Sequence, residues 1–204
     1  MNTAKIRLSP QEIELLINPE WLLIKNQVIQ KVMNVYGGIH QLFRQRIIEN
    51  KSVLPLHISA SGGKISKGNN FKGLPFVVLD YPANFGKKDV FCVRCFFLWG
   101  NYFIISLHLS GKYLSIDADF RKWLEYYEEK NFSINISSDE WNQEWDGYEE
   151  IDLNKNQLQE KYFKVAAKIN VADWEMVPEF FQKKFNEIVS FLCTNYHPTG
   201  GTIL

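Results

Sequence analysis

The sequence predicts an α+β fold: an antiparallel sheet of about five strands, with a long N-terminal helical element and a C-terminal helix packed on it. Three stretches carry that expectation. Residues 89–111, DVFCVRCFFLWGNYFIISLHLSG, are two runs of β-branched and aromatic residues around a Gly-Asn turn, which is a hairpin pattern. Residues 19–50 keep Leu22, Ile29, Met33, Tyr36, Phe43 and Ile47 on one helical face. VPEFFQKKFNEIVSFL turns Val177, Phe180, Phe181, Phe185, Ile188 and Leu192 the same way.

The elements follow in order. Ser9 can cap a helix, Pro10 suits its first turn, and Glu12 completes a capping box. Asn18-Pro19 breaks that helix. The next runs over 19–50 as one long helix loosened at Gly37-Gly38, or as two helices sharing a face. GGKISKGNNFKG (62–73) reads as a hairpin-like loop in which KISKG is a short strand and Gly68-Asn69-Asn70 turns the chain; Leu74–Tyr81 is a strand closed by Pro82. SIDADFRKWLEYYEEK is a helix with Asp117 as its cap and Phe120, Trp123, Leu124 and Tyr127 as its stripe. FSINIS and EKYFKVAAKINV are strands. SDEWNQEWDGYEEID is an acidic loop with a turn of helix, and HPTGGTIL is a frayed end.

A chain of 204 residues suits a single domain, with a helical part at 1–50, a sheet core at 51–114 and a mixed part at 115–204. At 46% hydrophobic and 15% aromatic residues it is far from disordered compositions and implies an aromatic-rich core. Net charge is +0, divided as +6 over residues 1–90 and −6 over the remainder, so the two parts complement one another and the chain lacks the basicity of a nucleic-acid binder. The three cysteines, Cys92, Cys95 and Cys193, the lack of an apolar leader and the lack of a spanning apolar run point to a cytoplasmic protein without membrane contact.

The two faces of the hairpin differ. The odd positions, Phe91, Val93, Cys95, Phe97, Phe103, Ile105, Leu107 and Leu109, are all apolar, whereas the even positions include Arg94, Ser106 and His108. A three-residue loop (Gly100, Asn101, Tyr102) keeps the sets apart. A two-residue loop would push Arg94 among the apolar residues, and burying it unpaired costs several kcal/mol. Arg94 and His108 then share a face that Asp80 can reach if Leu74–Tyr81 pairs alongside. Arg, His and Asp on one face suit an ion pair beside a surface imidazole, or acid–base chemistry.

Other motifs weigh against familiar activities. GGKISKGNNFKG precedes a strand and not a helix, so it is no P-loop, although its glycine amides with Lys64, Lys67 and Lys72 could cradle an anion. Cys92 and Cys95 have CxxC spacing but lie within a strand, where positions i and i+3 face opposite ways; buried thiols are expected. His40, His57, His108 and His197 are scattered without metal-ligand spacing, so no metal and no cofactor are expected. Trp141, Trp145 and Tyr148 stand among Asp139, Glu140, Glu144, Asp146, Glu149 and Glu150. They suit a loop tucked onto the body, a grip for a cationic partner, or docking on the basic 62–72 stretch.

KISKGNNFKGLPFVVLDYP followed by FCVRCFFLWGNYFIISLHLSGKYL resembles a bacterial family of uncharacterised proteins (a domain of unknown function). The pattern is Lys64-x-Ser66-x-Gly68-x-Asn70, then Leu74-Pro75 and Leu79-Asp80-Tyr81-Pro82, then Phe96-Phe97-x-Trp99-Gly100-Asn101, about 50 residues within Lys64–Leu114. No activity attaches to that family, so the resemblance implies no catalytic residue. The leading expectation is a small-ligand (anion) binding or interaction protein without catalysis. Lys64, Lys67 and Asn70 would hold the anion, with Tyr81 and Trp99 as flat walls. The alternatives are an enzyme using Arg94, His108 and Asp80, and a protein-interaction module built on residues 139–150. A partner, if any, would be a small anion or a protein; nucleic acid is not expected.

Overall fold

Ser9 begins the first helix as its sequence implies. Its hydroxyl accepts the Glu12 N–H at 3.2 Å, and the Glu12 carboxylate accepts the Ser9 N–H at 2.6 Å, closing the capping box of α1 (Pro10–Ile17). Asn18 separates α1 from α2 (Glu20–Glu49), which is one helix of 30 residues passing unbroken through Gly37-Gly38. Its buried stripe is Ile29, Val32, Tyr36, Ile39, Phe43 and Ile47, at helical spacing. Leu22, expected on that stripe, is exposed, because burial of α2 begins only at Ile29. This computed structural model describes residues 6–114, 119–155 and 161–196. Asp117, His197 and the segment 197–204 lie outside the described residues.

The remaining elements are α3 (Leu56–Ser59), β1 (Gly62–Phe71), β2 (Leu74–Phe85), β3 (Val90–Leu98), β4 (Tyr102–Ser110), α4 (Phe120–Glu129), β5 (Ser133–Asn135), β6 (Tyr148–Glu150), β7 (Tyr162–Asn170) and α5 (Val177–Thr194). The sheet has seven strands in the order β1-β2-β3-β4-β7-β5-β6, and every pairing is antiparallel. The expected five become seven because the Gly- and Asn-rich stretch is itself strand β1, and because the acidic segment ends in β6. The turn between β1 and β2 is Lys72-Gly73, at φ 51° and 82°, and not Gly68-Asn69-Asn70. Two successive positive φ values suit a two-residue hairpin, and the Asn70 side chain steadies it by accepting the Gly73 N–H at 3.1 Å. Gly68 serves a different need: a Cβ there would collide with the Phe76 ring. Helix α4 is capped by the Asp119 side chain, which accepts the Lys122 N–H.

The helices α2, α4 and α5 cover one face of the sheet. Onto it point Val77 and Leu79 of β2, the odd residues of β3 and β4, and Phe163, Val165 and Ala167 of β7. Phe43 stacks on Phe185 at 3.6 Å, joining α2 to α5, and Trp123 meets Phe163 and Phe191 edge-on at 5.2 and 5.1 Å, fixing α4. Phe185→Ala removes one partner of the stack, so we expect it to lower unfolding free energy by about 3–5 kcal/mol in urea denaturation with an unchanged slope. A loss below about 1 kcal/mol would contradict this packing.

Candidate functional site

Parity decides which side chains meet on the other face. The β3–β4 register sets Leu98 opposite Tyr102, leaving a three-residue loop Trp99-Gly100-Asn101. That is one residue earlier than expected but of the same parity, so odd faces odd and even faces even. Asp80 lies opposite Arg94 and Arg94 opposite Ser106; one step along, Cys92 lies opposite His108 and His108 opposite Lys164. Asp80, Arg94 and His108 therefore do come to one face, and Lys164 of β7 joins them.

The contacts are close. Arg94 Nε and Nη2 donate to the two carboxylate oxygens of Asp80 at 2.6 and 2.9 Å, a bidentate pair, and the Cys92 thiol lies 3.4 Å from the same carboxylate. Residues 137–147 cross this face as a strap between β5 and β6. His108 Nε2 lies 3.1 Å from Glu140 Oε2. Lys164 Nζ donates to the carbonyls of Glu140 and Asn142 at 2.8 and 2.6 Å. The Trp141 ring lies 5.3 Å from the His108 ring and 6.0 Å from the Arg94 guanidinium. Tyr102 Oη accepts the Trp145 N–H, Tyr162 Oη donates to Asn135 Oδ1 at 2.7 Å, and Lys72 pairs with Glu144, so the acidic segment does dock on the basic β1–β2 turn.

Burial governs the electrostatics here. Lys164 is only 1% exposed; burial first, then the neighbouring Arg94 cation, bring its ammonium down to about 7, while the two carbonyls hold its protons. Burial also lowers His108 to about 3, with Lys164 and Arg94 adding to it. His108 is therefore held in its neutral form, and its Nε2–H donates to the facing Glu140 carboxylate. Three polar atoms of this region are buried without a partner: Asn135 Nδ2, Gln143 Oε1 and Tyr148 Oη. Asn135 and Tyr148 lie opposite one another in β5–β6 and approach without completing a hydrogen bond.

The cleft expected around the β1–β2 stretch does not assemble. Lys64 lies opposite Asp80 and Lys67 opposite Val77, so the two exposed lysines leave opposite faces of β1. Asn70 is spent on the Lys72-Gly73 turn. Tyr81 is buried edge-on against His40 at 4.7 Å, and Trp99 packs beside Phe97 on the helix-covered side. Cys92 and Cys95 are buried on opposite faces; burial, with the Asp80 carboxylate second, pushes both thiols well above their ordinary value, which leaves them unreactive. No group of three metal-ligating side chains occurs among the described residues.

Sequence reasoning missed Lys164, Asn135 and Gln143, and named Glu140 within the acidic 139–150 segment without its contact to His108. Lys164 had a signal: within YFKVAAKIN it alternates with Phe163 and Val165, which marks it as facing away from the core. The pH dependence of His108 is a direct check. Its imidazole protonates below about 6.5 in an unfolded chain, whereas the folded chain keeps it neutral to about 3. Between these values the unfolded state binds the additional proton, so stability that is full above 6.5 falls as pH falls. From about pH 6 to 5 the native protein should lose up to about 1.4 kcal/mol per pH unit more than His108→Gln, by urea denaturation. Parallel profiles would contradict a buried neutral imidazole.

Against protein-family models, curated proteins and solved structures, the chain gives no match in any of the three comparisons.

Proposed function

We propose that the protein binds a small anionic ligand, a carboxylate or a phosphate, between the strap and the sheet, on Arg94, His108 and Lys164. The observation that carries this reading is the buried Lys164 ammonium beside Arg94, under a roof whose Glu140 carboxylate already meets His108. Glu140 occupies the position that an incoming anion would take. A ligand competes with it for His108 and for the Lys164 protons, and the strap, fastened largely at polar contacts, gives way. Leaving a buried polar atom unpaired costs about 1–3 kcal/mol. The unpaired Asn135 amide and Tyr148 hydroxyl add donors that suit an acceptor-rich anion.

A second reading, acid–base catalysis by Arg94, His108 and Asp80, draws on the same juxtaposition. It needs His108 to exchange a proton near neutrality, and burial opposes that. The strap as a protein-docking module has less behind it: Trp141 and Phe85 offer two neighbouring exposed rings, far short of the roughly 800 Å² per partner of a stable interface.

A thermal-shift screen with carboxylates, phosphorylated metabolites and nucleotides tests the reading. A ligand at 100 times its dissociation constant adds about 2.7 kcal/mol, which raises Tm by several degrees in a domain of this size. Glu140→Gln, which removes the internal competitor, should bind the same anion more tightly, and Lys164→Met should lose it. The proposal fails if no anion shifts the native protein, or if all three proteins respond alike.

A further inference from the structure

The first two helices carry an apolar surface that nothing among the described residues covers. Helix α1 has no buried residue, and burial of α2 starts at Ile29, so Ile6 to Ile24 stand clear of the body. Nine large apolar side chains between Leu8 and Ile24 are 43–74% exposed, with Leu16 and Ile17 the most open. Together they present on the order of 700 Å² of apolar surface. The largest apolar patch of an ordinary monomer is about 300–600 Å².

The arm is nevertheless shaped. The capping box fixes the start of α1, the Asn18 side chain accepts the Glu20 N–H at 3.0 Å, and Trp21 Nε1–H donates to the Leu15 carbonyl at 3.0 Å, setting the elbow between the helices. A helix of eight residues without packing is marginal in water. An arm held in one shape with its leucines outward needs a surface to lie against.

We infer that this surface is the arm of a second copy, so that α1 and the first two turns of α2 from two chains pack about a two-fold axis. Area and charge both favour that occupant. Two such arms bury on the order of 1,400 Å², within the range of a stable interface of about 1,600 ± 400 Å². Residues 6–28 carry Arg7 and Lys25 against Glu12, Glu14 and Glu20, a net −1, so one arm does not strongly repel its copy. Interfaces between identical chains are also the more apolar kind. A membrane surface would favour basic residues flanking the apolar side chains, and this arm is slightly acidic. The arm lies apart from the strap-covered face, so the inference stands independently of the anion reading.

Sedimentation velocity of the full chain at about 50 μM tests it, alone and with vesicles of phosphatidylcholine and phosphatidylglycerol. The expected species has twice the 23.9 kDa chain mass, with no vesicle binding. The double variant Leu16→Asp/Leu23→Asp should be monomeric, with dimer association weakened at least about 100-fold and with an unchanged near-ultraviolet circular dichroism spectrum of the body. A monomeric native chain, vesicle binding, a larger assembly, or a variant that stays dimeric would each overturn the inference.

Discussion

The architecture depends on the pairing of β3 with β4 in a register that keeps odd with odd. The odd side chains of the hairpin are apolar and must leave water, and α2, α4 and α5 supply the cover. Arg94, Ser106 and His108 are then carried to the opposite face whether or not they have partners there. A slip of one residue between the two strands would set Arg94 on the apolar face with Phe103 and Leu107 and turn Phe97 outward, so the alternative register is heavily penalised. The same parity, passed on to β7, brings Lys164 beside His108, and passed back to β2, brings Asp80 beside Arg94.

Those four groups would be costly if left alone beneath a covering segment. Asp80 answers Arg94 with two short hydrogen bonds, and the strap answers the other two, with a carboxylate for His108 and two carbonyls for Lys164. Desolvation still holds His108 neutral, and it presses Lys164 towards its neutral form. The result is a polar layer in which His108 and Lys164 find their partners on the strap and not on the sheet itself.

Local pattern revealed the parts of this fold that local pattern determines. The capping box at Ser9 and Glu12, the stripe of α5 and the sidedness of the hairpin are all written in short-range spacing. The hairpin loop was legible in parity but not in position, because Trp99 sits in the turn and packs against the core as well as a strand residue would. Strand β1 was hidden by its glycines and asparagines, which normally mark turns; at Gly68 the small residue is needed because the Phe76 ring lies across the strand. Strand β5 was legible in FSINIS, whereas β6, also three residues, exists through pairing with it, which its own acidic segment does not encode. Leu22 continues the helical phase of the core stripe, yet the body ends before it reaches that turn, so periodicity alone could not tell core from exposed arm.

The most direct measurement of the central claim is a nuclear Overhauser spectrum of the native protein, assigned at the His108 and Trp141 rings. With the strap on the even face, the His108 imidazole protons should show cross-peaks to the Trp141 indole, whose ring centre lies 5.3 Å away, and to the Tyr162 ring at 5.8 Å. Cross-peaks from His108 to Leu107 and Phe163 side chains beneath the helices, with none to Trp141, would place the imidazole on the opposite flank and contradict the account.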